Sequence, residues 1–156
     1  MSAAGTLVHG TAVLVGPVAV LIRGASGSGK STLALRLLER AEGAGRFARL
    51  VADDQVFIRR EGEALIGRAP ETTLGLIELR GRGILELRPE SPARIGLIVD
   101  LLPGKDCPRM PAPEDETVEL LGLTLPRQIV MIGAPDAALI IESALFQRPL
   151  QPLSAT

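Results

Sequence analysis

A chain of 156 residues, 46% apolar and 22% charged, is most simply one globular domain with room for a real core. Seventeen basic against eighteen acidic residues leave a net charge of −1, which argues against a nucleic-acid or anionic-membrane surface. No apolar run approaches the ~18 residues of a membrane span, and residues 1–20 lack the basic-then-apolar pattern of a signal peptide. The single cysteine, Cys107, excludes an internal disulfide and agrees with a reducing compartment, so a cytoplasmic protein is expected. Without Trp or Tyr, and with only Phe47, Phe57 and Phe146, the core must rest on Leu, Ile and Val. The same scarcity of aromatics argues against base-stacking platforms for single strands.

In chain order, residues 6–15 alternate as a strand, and Gly16-Pro17 signals a turn before the apolar run Val18–Arg23. A hairpin leading into the next loop is therefore predicted. Residues 32–42 read as a helix, with Leu33, Leu37, Leu38 and Ala41 on one buried face and Gly43 and Gly45 ending it. Short strands are predicted at 50–52, 56–58, 64–66, 74–79 and 84–87, with Arg80-Gly81-Arg82-Gly83 as an interruption. Residues 95–102 form the most apolar strand, and 103–113, with four prolines, a loop. Residues 118–125 are a short apolar stretch around Gly122, 128–132 a final strand, and Asp136 the N-cap of a helix running to about 147. The tail over 148–156 is expected to be loose. Strands outnumber helices, so the fold class is α/β with a mixed, largely antiparallel sheet.

Between strand and helix stands Gly24-Ala25-Ser26-Gly27-Ser28-Gly29-Lys30-Ser31, which fits the phosphate-binding pattern G-x-x-x-x-G-K-[ST], with Thr32 following. The glycines let the backbone curl so that successive N–H groups point at phosphate oxygens, and the helix dipole adds attraction. In this pattern Lys30 reaches the β/γ-phosphates and Ser31 offers its hydroxyl to Mg²⁺. A nucleoside triphosphate is the expected ligand.

Such chemistry wants a carboxylate at the end of a neighbouring strand. Asp53 and Asp54 follow Leu50-Val51-Ala52, and on an extended chain they point opposite ways, one toward the nucleotide and one toward an acceptor. Glu78 ends a strand just before Arg80 and Arg82. It could complete a Mg²⁺ sphere, while an arginine neutralises the transferred phosphoryl group; a β-turn with exposed arginines is the plainer alternative. His9, the one histidine, and Arg109, in the proline-rich loop, are further candidates, although a lone histidine is usually structural and most loop arginines are simply solvated.

Together these pieces resemble the catalytic domain of the bacterial HPr kinase/phosphorylase family. His9-Gly10 resembles its catalytic His-Gly, residues 24–35 its Walker A loop and helix, and Leu50-Val51-Ala52-Asp53-Asp54 its catalytic aspartate segment. Residues 77–84 match its Glu-x-Arg-Gly-x-Gly-Ile signature, and Arg109 sits where the family places a catalytic arginine. The resemblance spans about residues 7 to 145. It implies a P-loop-containing, phosphoenolpyruvate-carboxykinase-like kinase domain, and an ATP- and Mg²⁺-dependent kinase phosphorylating a serine of the phosphocarrier HPr. It further implies Ser31 and Glu78 as Mg²⁺ ligands, one of Asp53 and Asp54 as the base, and assembly as a hexamer. The alternatives are a nucleotide-sensing regulator with little transfer, or a P-loop enzyme acting on another acceptor.

Three departures are noted. The family usually carries a separate N-terminal domain, so regulation through one is expected to be absent. Where the family has Pro-Val-Arg-Pro-Gly-Arg-Asn before the last helix, this chain has Val130-Met131-Ile132-Gly133-Ala134-Pro135-Asp136. Without its two arginines the segment is poorly suited to hold inorganic phosphate, and weak or missing phosphorylase activity is expected. Gly43-Ala44-Gly45 is the expected place of a surface insertion.

Overall fold

The structure is a computed structural model that describes residues 5–147; the tail expected to be loose lies outside the described residues. Thirteen helices and strands are labelled in chain order: β1 (Thr6–His9), β2 (Thr11–Val15), β3 (Val18–Arg23), α1 (Lys30–Gly43), β4 (Ala48–Ala52), β5 (Gln55–Glu61) and β6 (Ala64–Arg68) come first. Then follow β7 (Leu76–Leu79), β8 (Gly83–Glu86), β9 (Ala93–Leu102), β10 (Thr117–Leu120), β11 (Leu123–Met131) and α2 (Ala137–Phe146).

One sheet runs β1-β5-β6-β9-β3-β2-β4, with β11 on β9 and β10 on β11, while β7 and β8 form a separate hairpin. Among the labelled strands, β3–β9 and β9–β11 pair in parallel and the other pairings are antiparallel, the mixed, largely antiparallel sheet that the sequence predicts. The long β9 organises this arrangement. One of its edges takes β3 from Ile95 to Asp100; the other takes β6 over Ala93–Ile95 and then β11 from Ile98 to Leu102. It feeds two cores, by alternation from Leu97 onward and, for Ile95, through the register shift that precedes Leu97. Leu97, Val99 and Leu101 pack with Leu33, Leu37 and Ile141 of the helices, while Ile95 and Ile98 pack with Val56, Ile58, Leu65 and Leu125. Each such side chain removed from water contributes about 1.5–3 kcal/mol.

The predicted strand at 6–15 divides. Gly10 breaks it, and β1 pairs with β5 while β2 pairs with β3 and β4. A Cβ at Gly10 would stand 2.7 Å from the Ile22 carbonyl oxygen, so the chain passes this crossing only as glycine. The stretch 118–125 is the β10–β11 hairpin, turning at Leu121 and Gly122, both with positive φ. The final strand begins at Leu123 rather than 128; Pro126 is tolerated because pairing with β9 starts only at Arg127. Asp136 occupies the N-cap of α2, but its side chain makes no capping bond. Its backbone is near-helical (φ −98, ψ 14) instead of in the β region from which a cap side chain reaches back. No described helix is long and apolar enough to cross a membrane.

Candidate functional site

The loop between β3 and α1 is tied down before any ligand is considered. Gly27 and Gly29 take φ of 80° and 96°, values an L side chain resists, and α1 starts directly at Lys30. Lys30 is buried, and its Nζ donates to the carbonyls of Gly24 and Ala25, each at 3.0 Å, which holds the ammonium against the loop. Burial lowers its pKa from the ordinary lysine value, against the opposing pull of Asp54 and Asp53. The phosphate-sized cavity in front of the loop, about 200 Å³, is lined by Ser26, Gly27, Gly29, Lys30, Ser31 and Thr32 from the loop and helix. Across from them stand His9, Thr11, Asp54, Glu78 and Arg80.

The aspartate pair is divided by its backbone. Just before it, the pairing of β2 with β4 shifts register between Ala12 and Val13, so Val51 and Ala52 both face one core. Such an irregularity re-aims the residues that follow it. Asp53 is buried and fully engaged. Its Oδ1 accepts from the Ser31 hydroxyl at 2.6 Å and the Thr11 hydroxyl at 2.9 Å, and its Oδ2 from the Glu78 N–H at 3.1 Å. Asp54 takes φ of 69°, so the pair is not on the extended chain that the sequence reading assumed. The two side chains still diverge: the Asp54 carboxylate is 70% exposed and lies 3.0 Å from His9 Nε2. The Gly10 N–H holds this turn by donating to the Asp54 carbonyl.

Of the residues expected at the site, His9, Asp53, Asp54, Lys30, Ser31, Glu78 and Arg80 are brought together. A Cβ at Gly27 would lie 3.8 Å from Arg80 Nη2, so that guanidinium stands over the loop. Arg109 is not brought in; it lies exposed in the 103–113 loop, outside the cavity lining. Thr11, which sequence reasoning missed, is wholly buried and fixes Asp53. Its only sequence signal is its place directly after His9-Gly10.

The donor set suits Mg²⁺. Ser31 and Asp53 present oxygens within 2.6 Å of each other, and Glu78 lines the cavity beside Ser31. Among the described residues no cluster of three or more His, Cys, Asp or Glu forms a ready-made cage. A hard ion that keeps its waters and is shared with substrate phosphates needs only one or two carboxylates.

One more charged group adjoins the loop. Asp100, near the end of β9, accepts from Arg23 Nε and Nη2 at 2.8 and 2.9 Å and from Arg127 Nε at 2.6 Å, tying the three parallel strands together. Burial alone would raise its pKa; the two guanidinium groups outweigh that and hold it below the ordinary carboxylate value.

Comparison with known proteins adds the following. The HPr Serine kinase C-terminal domain family matches residues 2–154. The HPr kinase/phosphorylase of Geobacillus thermodenitrificans is 41% identical over 151 residues, covering 89% of this chain and 47% of that protein. That of Azoarcus sp. is 37% identical over 156 residues, covering 92% and 48% respectively. The chain thus spans about half the length of the curated relatives it matches. Among solved structures, that of the Hpr(Ser) kinase/phosphatase from Coxiella burnetii superposes with a TM-score of 0.75 at 27% identity, covering 90% of this chain and 93% of that one.

Proposed function

The chain belongs to the HPr serine kinase C-terminal domain family, and on that premise we propose that it is an ATP- and Mg²⁺-dependent kinase that phosphorylates a serine of HPr. The observation that carries the reading is the division of labour between the two aspartates on either side of a phosphate loop. Asp53, bound to Ser31 and Thr11, belongs to the metal side. Asp54, exposed and steadied by His9, faces the side from which a protein acceptor can approach.

In this mechanism the serine hydroxyl of HPr attacks the γ-phosphorus as its proton passes to an Asp54 carboxylate oxygen, and the bond to the β,γ-bridging oxygen breaks, leaving ADP. Ser31, Asp53 and Glu78 are the residues that would hold Mg²⁺, which would supply neutralisation of phosphate charge. Lys30 and the loop N–H groups bind the phosphate chain, and Arg80 over the loop offsets charge on the transferred group. Positioning and charge supply most of the catalysis such a reaction needs. The same reading has the protein acting in the cytoplasm as a hexamer, the latter to be checked by light scattering. It also makes the phosphorylase reaction weak or absent, because Val130 to Asp136 carries no basic side chain for a second anion. Rapid phosphate-dependent dephosphorylation of phosphoseryl-HPr by the pure protein would overturn that part.

The decisive test incubates the protein with labelled ATP, Mg²⁺ and HPr and maps products by mass spectrometry. Phosphoserine on HPr that disappears with Lys30→Ala supports the kinase reading. ATP binding without modification of HPr would leave a nucleotide-sensing protein, and ATP turnover needing no protein acceptor an enzyme of another substrate.

A further inference from the structure

An ionised carboxylate accepts hydrogen bonds and donates none, with about two positions on each oxygen. Asp53 Oδ1 uses both of its positions, one for the Ser31 hydroxyl at 2.6 Å and one for the Thr11 hydroxyl at 2.9 Å. Oδ2 takes the Glu78 N–H at 3.1 Å. Both hydroxyls therefore turn their protons to Asp53. For Ser31, which lines the cavity, this leaves the oxygen lone pairs for a cation. Thr11 is wholly buried, so its hydroxyl serves Asp53 and not the solvent. Resting on the proposal of a Mg²⁺-dependent kinase, we propose that Thr11 is a positioning residue for the metal side of the site. By filling the second position on Oδ1 it stops the Asp53 carboxylate from turning, and so keeps the Ser31 proton on Asp53 and the Ser31 lone pairs open to the ion.

The fold makes Thr11 the fixed member of this group. An aspartate carboxylate rotates easily about its last torsion, so its orientation is set by its partners. Of the three partners among the described residues, Glu78 belongs to the β7–β8 hairpin, which is separate from the main sheet. Ser31 belongs to the first turn of α1, directly behind the phosphate loop. Thr11 alone lies in an inner strand, since β2 is paired with β3 on one edge and β4 on the other. The antiparallel register that sets Ala12 against Ala52 brings Thr11 across from Asp53. A β-branched side chain on a paired strand has little rotamer freedom, so the place of its hydroxyl follows from the backbone. Valine has the same shape and no hydroxyl; it would leave Oδ1 short of a donor and the carboxylate free to follow Ser31.

Titration calorimetry of ATP, with Mg²⁺ and again with EDTA, separates metal-dependent from metal-independent binding. Wild type is expected to gain at least about tenfold in affinity from Mg²⁺. Thr11→Val should cut that gain to about twofold or less, while its affinity in EDTA stays within about twofold of wild type, because Lys30 and the loop are anchored elsewhere. Thr11→Ala, which lacks the hydroxyl and places no methyl against the carboxylate, should behave in the same way. Thr11→Ser keeps the hydroxyl and should restore most of the gain. A general loosening of the site would weaken ATP in EDTA as well, and the smaller serine would not repair it. The proposal is overturned by a wild-type gain in Thr11→Val and Thr11→Ala, by equal losses with and without Mg²⁺, or by failure of Thr11→Ser to recover. No gain from Mg²⁺ in wild type would overturn the Mg²⁺-dependent reading itself, and the role of Thr11 with it.

Discussion

At the scale of single residues, two neighbouring aspartates of identical chemistry are turned to different surroundings by one backbone angle. The φ of 69° at Asp54 turns its carboxylate out to His9, whereas Asp53 points inward to two hydroxyls and an N–H. The two amide variants should therefore behave differently. Asp54→Asn is expected to cut phosphoryl transfer at least about a hundredfold, the scale of a lost general base, with ATP affinity little changed. Asp53→Asn should weaken both transfer and Mg-dependent ATP binding, because the amide removes charge beside Ser31. Calorimetric affinities set beside single-turnover rates check the contrast; equal profiles for the two variants would sink the assignment. The sequence showed that a carboxylate pair stood beside a phosphate loop. It did not show which was which, since either aspartate is a residue that tolerates the left-handed region and nothing local chooses between them.

Among the elements, the junction of β1 and β2 matters most to the site, because it carries His9 and Thr11 to opposite partners of the aspartate pair. Gly10 makes that junction possible by passing 2.7 Å, measured from a notional Cβ, from the Ile22 carbonyl. Gly10→Ala must push backbone against backbone, and is expected to cost about 1–3 kcal/mol, the usual scale of overpacking. It should also lower transfer more than ATP binding, since Lys30 and the loop are anchored elsewhere, on Gly24 and Ala25. Urea unfolding and the two activity readouts would show it. Sequence periodicity placed β3, α1 and β9 closely, because a run of Val and Ile and a four-residue leucine spacing each match one period. It placed β10 and β11 poorly. Their pattern is broken by Gly122 and Pro126, and what makes them a hairpin and a parallel partner of β9 is contact with strands far along the chain.

For the whole molecule, the three parallel strands are tied together by the Asp100 carboxylate of β9, held between Arg23, the last residue of β3 before the phosphate loop, and Arg127 within β11. The folded-state pKa of Asp100 is depressed, so its stabilisation is full above the unfolded carboxylate value of about 4 and is lost as pH falls below it toward the folded value. Asp100→Asn leaves two cations facing a neutral group. It should lower stability at neutral pH by on the order of 3 kcal/mol and flatten the loss of stability on acidification below about pH 4. Thermal melts across pH would read both effects, and an unchanged acid limb would show that the clamp contributes nothing. By itself the sequence determined the phosphate loop, the strand and helix around it, the acidic partners and the α/β class, because each of these is written in local spacing and in residue types whose chemistry is fixed. Only the tertiary structure decided that Thr11 holds Asp53, that Arg109 stays outside the cavity while Arg80 enters it, and that β11 delivers the turn after it beside α1. Those outcomes depend on which distant strands pair and in which register, and no stretch of the chain carries that information alone.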